Sequence, residues 1–142
     1  MRVQEAMSRD VRVVNPGQTI RDVAKMMDEI DAGAIPVGEN DRLVGMITDR
    51  DIAIRAVALG KGPDTPVREV MSKDVKYCYE DEDLEHVAQN MGEIQVRRLP
   101  VMNRDKRLVG IVSLGDIAQR EDAKTTGKTT AGVSKPGGKH ST

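Results

Sequence analysis

Two short stretches hold the side chains whose types and spacing point to chemistry. In "RLVGMITDRDIA", residues 42–53, the hydroxyl of Thr48 stands three positions before the carboxylate of Asp51; in "RLVGIVSLGDIA", residues 107–118, Ser113 and Asp116 repeat the spacing. Each pair falls where a strand-like apolar run gives way to a helical pattern. Two chemistries suit that junction. One is a capping box, in which the hydroxyl accepts from a helix amide and the acid bonds back to the cap residue, with no ligand required. The other is a nucleotide clamp. An ionised carboxylate accepts both hydrogens of a ribose diol, while a helix N-terminus presents free N–H groups and positive dipole to a phosphate.

The remaining reactive residues form no catalytic or metal-binding set. Asp49 and Asp51 are two apart but have no His or Cys beside them, and one carboxylate pair is too few ligands for a metal. His86 falls on a predicted helix and His140 in the C-terminal stretch, so neither builds a triad or a zinc set. Cys78, the one cysteine, lies in "VKYCY", a pattern that predicts a buried strand residue rather than a nucleophile. "GKTT" near the C-terminus lacks the earlier glycine of a phosphate loop, because Asp122 occupies that position. An enzyme is therefore not expected.

Composition narrows the partners. Lys plus Arg number 22 against 23 Asp plus Glu, so there is no global basic field of the kind that gives non-specific nucleic-acid affinity. Tyr77 and Tyr79 are the only aromatic residues, too few for the stacking platforms of single-strand binders. The opening "MRVQEAMSRD" has no apolar signal core, and no apolar run approaches the roughly 18 residues of a membrane span. The expectation is a cytoplasmic protein that binds neither nucleic acid nor membrane.

The elements that must position the two pairs are written twice. "EAMSRDVRVV" (5–14) aligns with "EVMSKDVKYC" (69–78) at an offset of 64, which Ile20/Leu84, Met27/Met91, Ile30/Ile94 and Pro36/Pro100 keep. The offset becomes 65 after Pro100, where "MNRDKR" replaces "GENDR" in a turn that tolerates an insertion. Each copy begins with a β-rich segment (11–14; 75–79). A helix follows, with Thr19 as N-cap and Ile20, Val23, Ala24, Met27 and Ile30 on one face, or Asp83 as N-cap and Leu84, Val87, Ala88, Met91 and Ile94. Two short strands come next, "AIPV" and "LVGMIT" or "RLPV" and "LVGIVS", and then a second helix, which in copy one ends at Gly60. The fold class is α/β of the α+β type: two β-α-β-β-α repeats packed with pseudo-twofold symmetry, since about 60 residues bury too little surface alone. Repeat one with its linker helix spans 1–62 and repeat two 63–122. Residues 123–142, rich in Gly, Thr and Lys, predict a disordered polar tail.

The recurring "IPV" or "LPV" strand followed by "LVG", two apolar residues, Thr or Ser, two residues and "DI" resembles the cystathionine-β-synthase (CBS) domain, and the pair resembles a Bateman module. The likeness runs from residue 1 to about 120, and it is similar in extent to small stand-alone bacterial CBS pairs. It implies a regulatory sensor that binds AMP, ADP, ATP, NAD or S-adenosylmethionine in clefts between the repeats and alters their packing, with no catalytic cofactor. By position, the resemblance assigns the phosphate-facing hydroxyl to Thr48 and Ser113 and the ribose carboxylate to Asp51 and Asp116. Residues before the "LPV" strand also face phosphate in the family; these are Arg97 and Arg98 in copy two but Gly33 and Ala34 in copy one. The asymmetry predicts tighter phosphate binding at Ser113 and Asp116, although two arginines also suit the guarding of a strand edge. Ile35, Met46, Leu99 and Ile111 are the candidates for adenine contact. The family pairing implies a homodimer through the second helices, with Ile52, Ala56 and Leu59 on its face, and an output protein that reads the bound state. A scaffold with empty clefts, using the same fold, is the alternative.

Overall fold

A computed structural model describes residues 1–120. The polar stretch 123–142, with "GKTT" and His140, lies outside the described residues. Helices and small sheets are mixed, as the α+β reading expects, and the chain divides into two compact units. One is continuous, Arg12–Val75; the other joins Met1–Val11 to the chain from Lys76 onward.

In the continuous unit, α1 (Ile20–Ile30) starts at Thr19, whose Oγ1 accepts from the Asp22 amide at 3.2 Å while Asp22 Oδ2 accepts from the Thr19 amide at 3.3 Å. Ile20, Val23 and Met27 are buried. Ala24 is exposed, contrary to expectation, and Met26 packs against the core in addition to Ile30, so the apolar stripe lies to one side of the predicted one. The helix ends at Asp31 in the left-handed region, φ 53°. Next come β1 (Ala34–Glu39) and β2 (Arg42–Thr48), an antiparallel hairpin. Asn40 and Asp41 both have positive φ, the requirement of a two-residue primed turn. The expected strand 11–14 is reduced to a single parallel bridge from Val14 to Val37.

The second helix of this unit is irregular. A single α turn, α2 (Asp49–Asp51), widens to a π turn over Ile52–Ala56 and tightens over Val57–Leu59 before Gly60, φ 77°. The widened turn breaks the regular spacing on which the predicted dimer face relied. Ala56 is fully buried and Ile52 packs on the same core, while Leu59 is 68% exposed together with Val57 and Ile54. Ile52, Ala56 and Leu59 therefore do not share one outward face.

In the other unit, the short β3 (Cys78–Tyr79) runs parallel to β4 (Arg98–Met102), which pairs antiparallel with β5 (Leu108–Ser113). Asp83 caps α3 (Leu84–Ile94) by accepting from the His86 amide at 3.3 Å, and α4 (Leu114–Arg120) follows β5. Leu84, Val87, Ala88 and Met91 are buried as the periodicity predicts, with Ile94 packed on the core. Arg104 donates twice to Asp81, at 2.8 and 2.9 Å, and lies 4.0 Å from the Tyr79 ring centroid, tying the β4–β5 turn to the end of β3. Cys78 is buried in the core, and burial, with a smaller push from the Glu82 charge, raises its thiol to about 12.

Each unit is closed by a leader segment that carries the other repeat's number. Met7 and Ser8 lie along β5, with Ser8 and Ile111 exchanging both backbone hydrogen bonds at 2.9 Å; Ser72 and Met46 exchange the same pair at 2.8 and 2.9 Å. The glycines of the two "LVG" runs explain the fit. A Cβ on Gly110 would stand 2.6 Å from Met7 Sδ and 2.8 Å from the Ser8 carbonyl, and one on Gly45 would stand 2.8 Å from both Met71 Sδ and the Ser72 carbonyl. The compact units divide between residues 75 and 76 and join residues 1–11 to the second, whereas the sequence expectation places the repeat boundary between 62 and 63.

Candidate ligand-binding site

The hairpins set the two pairs. In the first, Ala34 lies opposite Thr48 and Pro36 opposite Met46; in the second, Arg98 lies opposite Ser113 and Pro100 opposite Ile111. Strand alternation puts each of these quartets on one face and the intervening residues on the other. Ile35 and Leu99, with 0% and 1% exposure, belong to the other face and lie within the cores, so they offer no surface to an adenine ring. Met46 and Ile111 are half-buried on the face of the hydroxyls. A two-residue count back from Thr48 and Ser113 was the signal that separates them.

At the first junction, Thr48 Oγ1 accepts from the Asp51 amide at 3.0 Å and Asp51 Oδ2 accepts from the Thr48 amide at 3.0 Å. The Asp49 amide donates to the Gly33 carbonyl at 2.9 Å, and the Arg50 amide donates to Asp49 Oδ1 at 2.8 Å. All three opening amides of the helix are therefore engaged, which corrects the expectation of free donors there. Asp51 is 16% exposed at its side chain, and its Oδ1 lies 3.9 Å from Arg55 Nε.

The second junction repeats the box but not its surroundings. Asp116 donates its amide to Ser113 Oγ at 3.1 Å, and Asp116 Oδ2 accepts from the Ser113 amide at 2.9 Å. The Leu114 amide donates to the Arg97 carbonyl at 3.0 Å. Among the described residues nothing accepts from the exposed Gly115 N–H, and nothing donates to Asp116 Oδ1. Arg98, Ser113 and Asp116 are half-buried, and Arg97 is exposed. Gly33 and Ala34 bring no charge to the first junction, whereas Arg98 adds a cation at the position opposite Ser113.

Both capping boxes are thus closed without a ligand. Each box uses one oxygen of its acid, Oδ2, and leaves Oδ1 outside the box. Among the described residues no group of three or more His, Cys, Asp or Glu side chains is placed to hold a metal ion, and no helix is long and apolar enough to cross a membrane.

The CBS domain model matches residues 3–57 and 67–122. The chain belongs to the CBS domain family. This CBS pair is 46% identical over 116 residues to the CBS domain-containing protein YhcV of Bacillus subtilis (strain 168), with 82% of each chain covered. It matches the conserved CBS domain protein TA0289 of Thermoplasma acidophilum at a TM-score of 0.78 and 29% identity, over 93% of this chain and 75% of that one. It also matches the CBS domain pair of protein MJ0100, solved in complex with 5-methylthioadenosine and S-adenosyl-L-methionine, at a TM-score of 0.72 and 30% identity, over 84% and 94% of the two chains. A CBS pair of this kind is a regulatory, ligand-sensing module.

Proposed function

We propose that this CBS pair is a cytoplasmic regulatory sensor of an adenosine nucleotide, AMP, ADP, ATP or NAD, and that it catalyses no reaction. The observation that carries the reading is the group at the second junction: an uncommitted Asp116 oxygen, the Ser113 hydroxyl and the Arg98 position opposite it. In this reading Asp116 Oδ1 accepts from the ribose hydroxyls, and Ser113 and Arg98 face the phosphate. The adenosine compounds held by the MJ0100 pair support the ligand class. Ligand binding shifts the protein toward whichever state it binds better, and a partner protein reads that state. A homodimer is part of the proposal.

A ligand-free scaffold is the second reading. What favours it is that both hydroxyl–acid pairs are already satisfied as caps. Thermal unfolding with AMP, ADP, ATP and NAD distinguishes the two. At a ligand concentration about a hundredfold above Kd, the sensor gains about 2.7 kcal/mol. Asp116→Asn keeps a cap acceptor but loses the charge, so it removes that gain while leaving the apo protein close to its original stability. If none of the four ligands moves the transition, the scaffold reading stands.

A further inference from the structure

We infer that the two junctions take different ligands: the one at Thr48 and Asp51 accepts an adenine nucleoside that carries no 5′-phosphate, and Asp49 is the residue that turns a phosphate away. The inference rests on the nucleoside-binding reading above. It deepens that reading by giving the junctions separate specificities.

The duplicated register aligns Thr48, Asp49, Arg50 and Asp51 with Ser113, Leu114, Gly115 and Asp116. The Arg50 amide, the counterpart of the open Gly115 N–H, is closed by the Asp49 carboxylate at 2.8 Å. The next amide, from Asp51, is held by the Thr48 hydroxyl at 3.0 Å. The hydroxyl assigned to phosphate and an anionic carboxylate are thus bonded to successive amides of one helical turn. A phosphate that reaches Thr48 meets like charge and finds no free backbone donor. The strand opposite offers nothing in compensation, since Gly33 and Ala34 stand where Arg97 and Arg98 stand in the other copy. Two cations lie on the same helical stretch. Arg55 is within 3.9 Å of Asp51 Oδ1, and Arg50 is exposed, where water and salt screen its charge. A neutral nucleoside avoids this conflict, because its ribose diol donates to Asp51 while no charge approaches Asp49.

Calorimetric titration of the full chain with adenosine and with AMP, at low ionic strength, tests the inference. The Ser113→Ala, Asp116→Asn double variant isolates the first junction. It is expected to lose AMP binding while keeping adenosine, with a preference of at least about tenfold. Adding Asp49→Asn is expected to tighten AMP about fivefold or more and to leave adenosine within about twofold. The inference is overturned if the isolated junction binds AMP as tightly as adenosine, or if Arg50→Ala weakens AMP there. Should the double variant fail to fold, Thr48→Ala with Asp51→Asn reverses the experiment: adenosine stoichiometry falls and AMP stoichiometry stays, whereas a fall in AMP stoichiometry refutes the assignment. Absence of binding of either compound to the unaltered chain defeats the nucleoside reading itself, a result distinct from adenosine binding without discrimination.

Discussion

Asp51 and Asp116 each hold their own helix with one carboxylate oxygen and leave the second for other partners. The hydroxyls also serve the helix with part of their capacity: Thr48 and Ser113 each accept from the N3 amide and keep an O–H to donate, and removing that acceptor leaves the amide donor unsatisfied. Thr48→Ala and Ser113→Ala are each expected to lower stability by about 1 kcal/mol in urea unfolding, whether or not nucleotide is present. A ligand contact alone would lower only the nucleotide-dependent part. Cys78 makes a second prediction at this scale. The ordinary thiol value is 9.0 and the folded chain holds Cys78 at about 12 because it is buried. Below about pH 9 both folded and unfolded chains keep the proton, and this group leaves stability unchanged. As pH rises from there toward 12, only the unfolded chain releases it, so stability falls by up to about 1.4 kcal/mol per pH unit. Unfolding of the unaltered chain and of Cys78→Ala across that range gives a slope difference, and equal slopes exclude the effect. The pairing of hydroxyl and acid was legible from spacing alone. Occupancy of the surrounding amides was not, because it depends on backbone partners such as the Gly33 and Arg97 carbonyls that have no residue-type signature.

At the scale of elements, the two "LVG" glycines decide whether a leader can lie against its strand. A methyl group on Gly110 or Gly45 meets a backbone carbonyl at 2.8 Å as well as a methionine sulfur, and the carbonyl belongs to a paired segment that cannot swing aside. Gly110→Ala and Gly45→Ala are expected to cost about 1–3 kcal/mol each, with Gly60→Ala as a control that strains φ but meets no neighbour. If denaturant midpoints of the "LVG" variants match the unaltered chain, the close approach is not structural. The helix periods and the caps at Thr19 and Asp83 were readable because local bonds three residues apart enforce them. The strand at 11–14 was not, since among the described residues Val14 alone of the four bridges to a strand, at Val37, and β-branched composition cannot report pairing. The π turn at Ile52–Ala56 escaped the 3.6-residue count for the same reason: it is a departure from the period that the count assumes. Helix ends were missed where the left-handed residue is not glycine. Asp31 is such an end, and Asp31→Gly is expected to stabilise the chain by about 0.5–1 kcal/mol by removing a strained φ of 53°, as a rise in Tm would show.

For the whole molecule, the doubled sequence and the two compact units count different things. The offset of 64 records where similar segments start, while each unit is bounded by what its core needs. Repeat similarity therefore revealed the domain type and the number of copies, but not that residues 1–11 complete the unit containing α3 and α4. Val3, Ala6 and Met7 lie in the core beside Leu84, Leu99 and Ile117, and the Val3 and Gln4 amides bond to the Glu82 and Glu80 carbonyls. The unit Arg12–Val75 has its own leader in Val67, Val70 and Met71 and takes none of these residues. Deleting residues 1–11 removes three buried apolar side chains, the bridge from Ser8 to Ile111 and the seat over Gly110 from one unit alone. Apolar side chains of this size contribute about 1–3 kcal/mol each, so the loss is comparable with the total stability of a small domain. Native-state hydrogen exchange should then show β4 and β5 losing protection by several orders of magnitude while β1 and β2 retain theirs, and equal loss in both hairpins would show that the two cores unfold as one cooperative body.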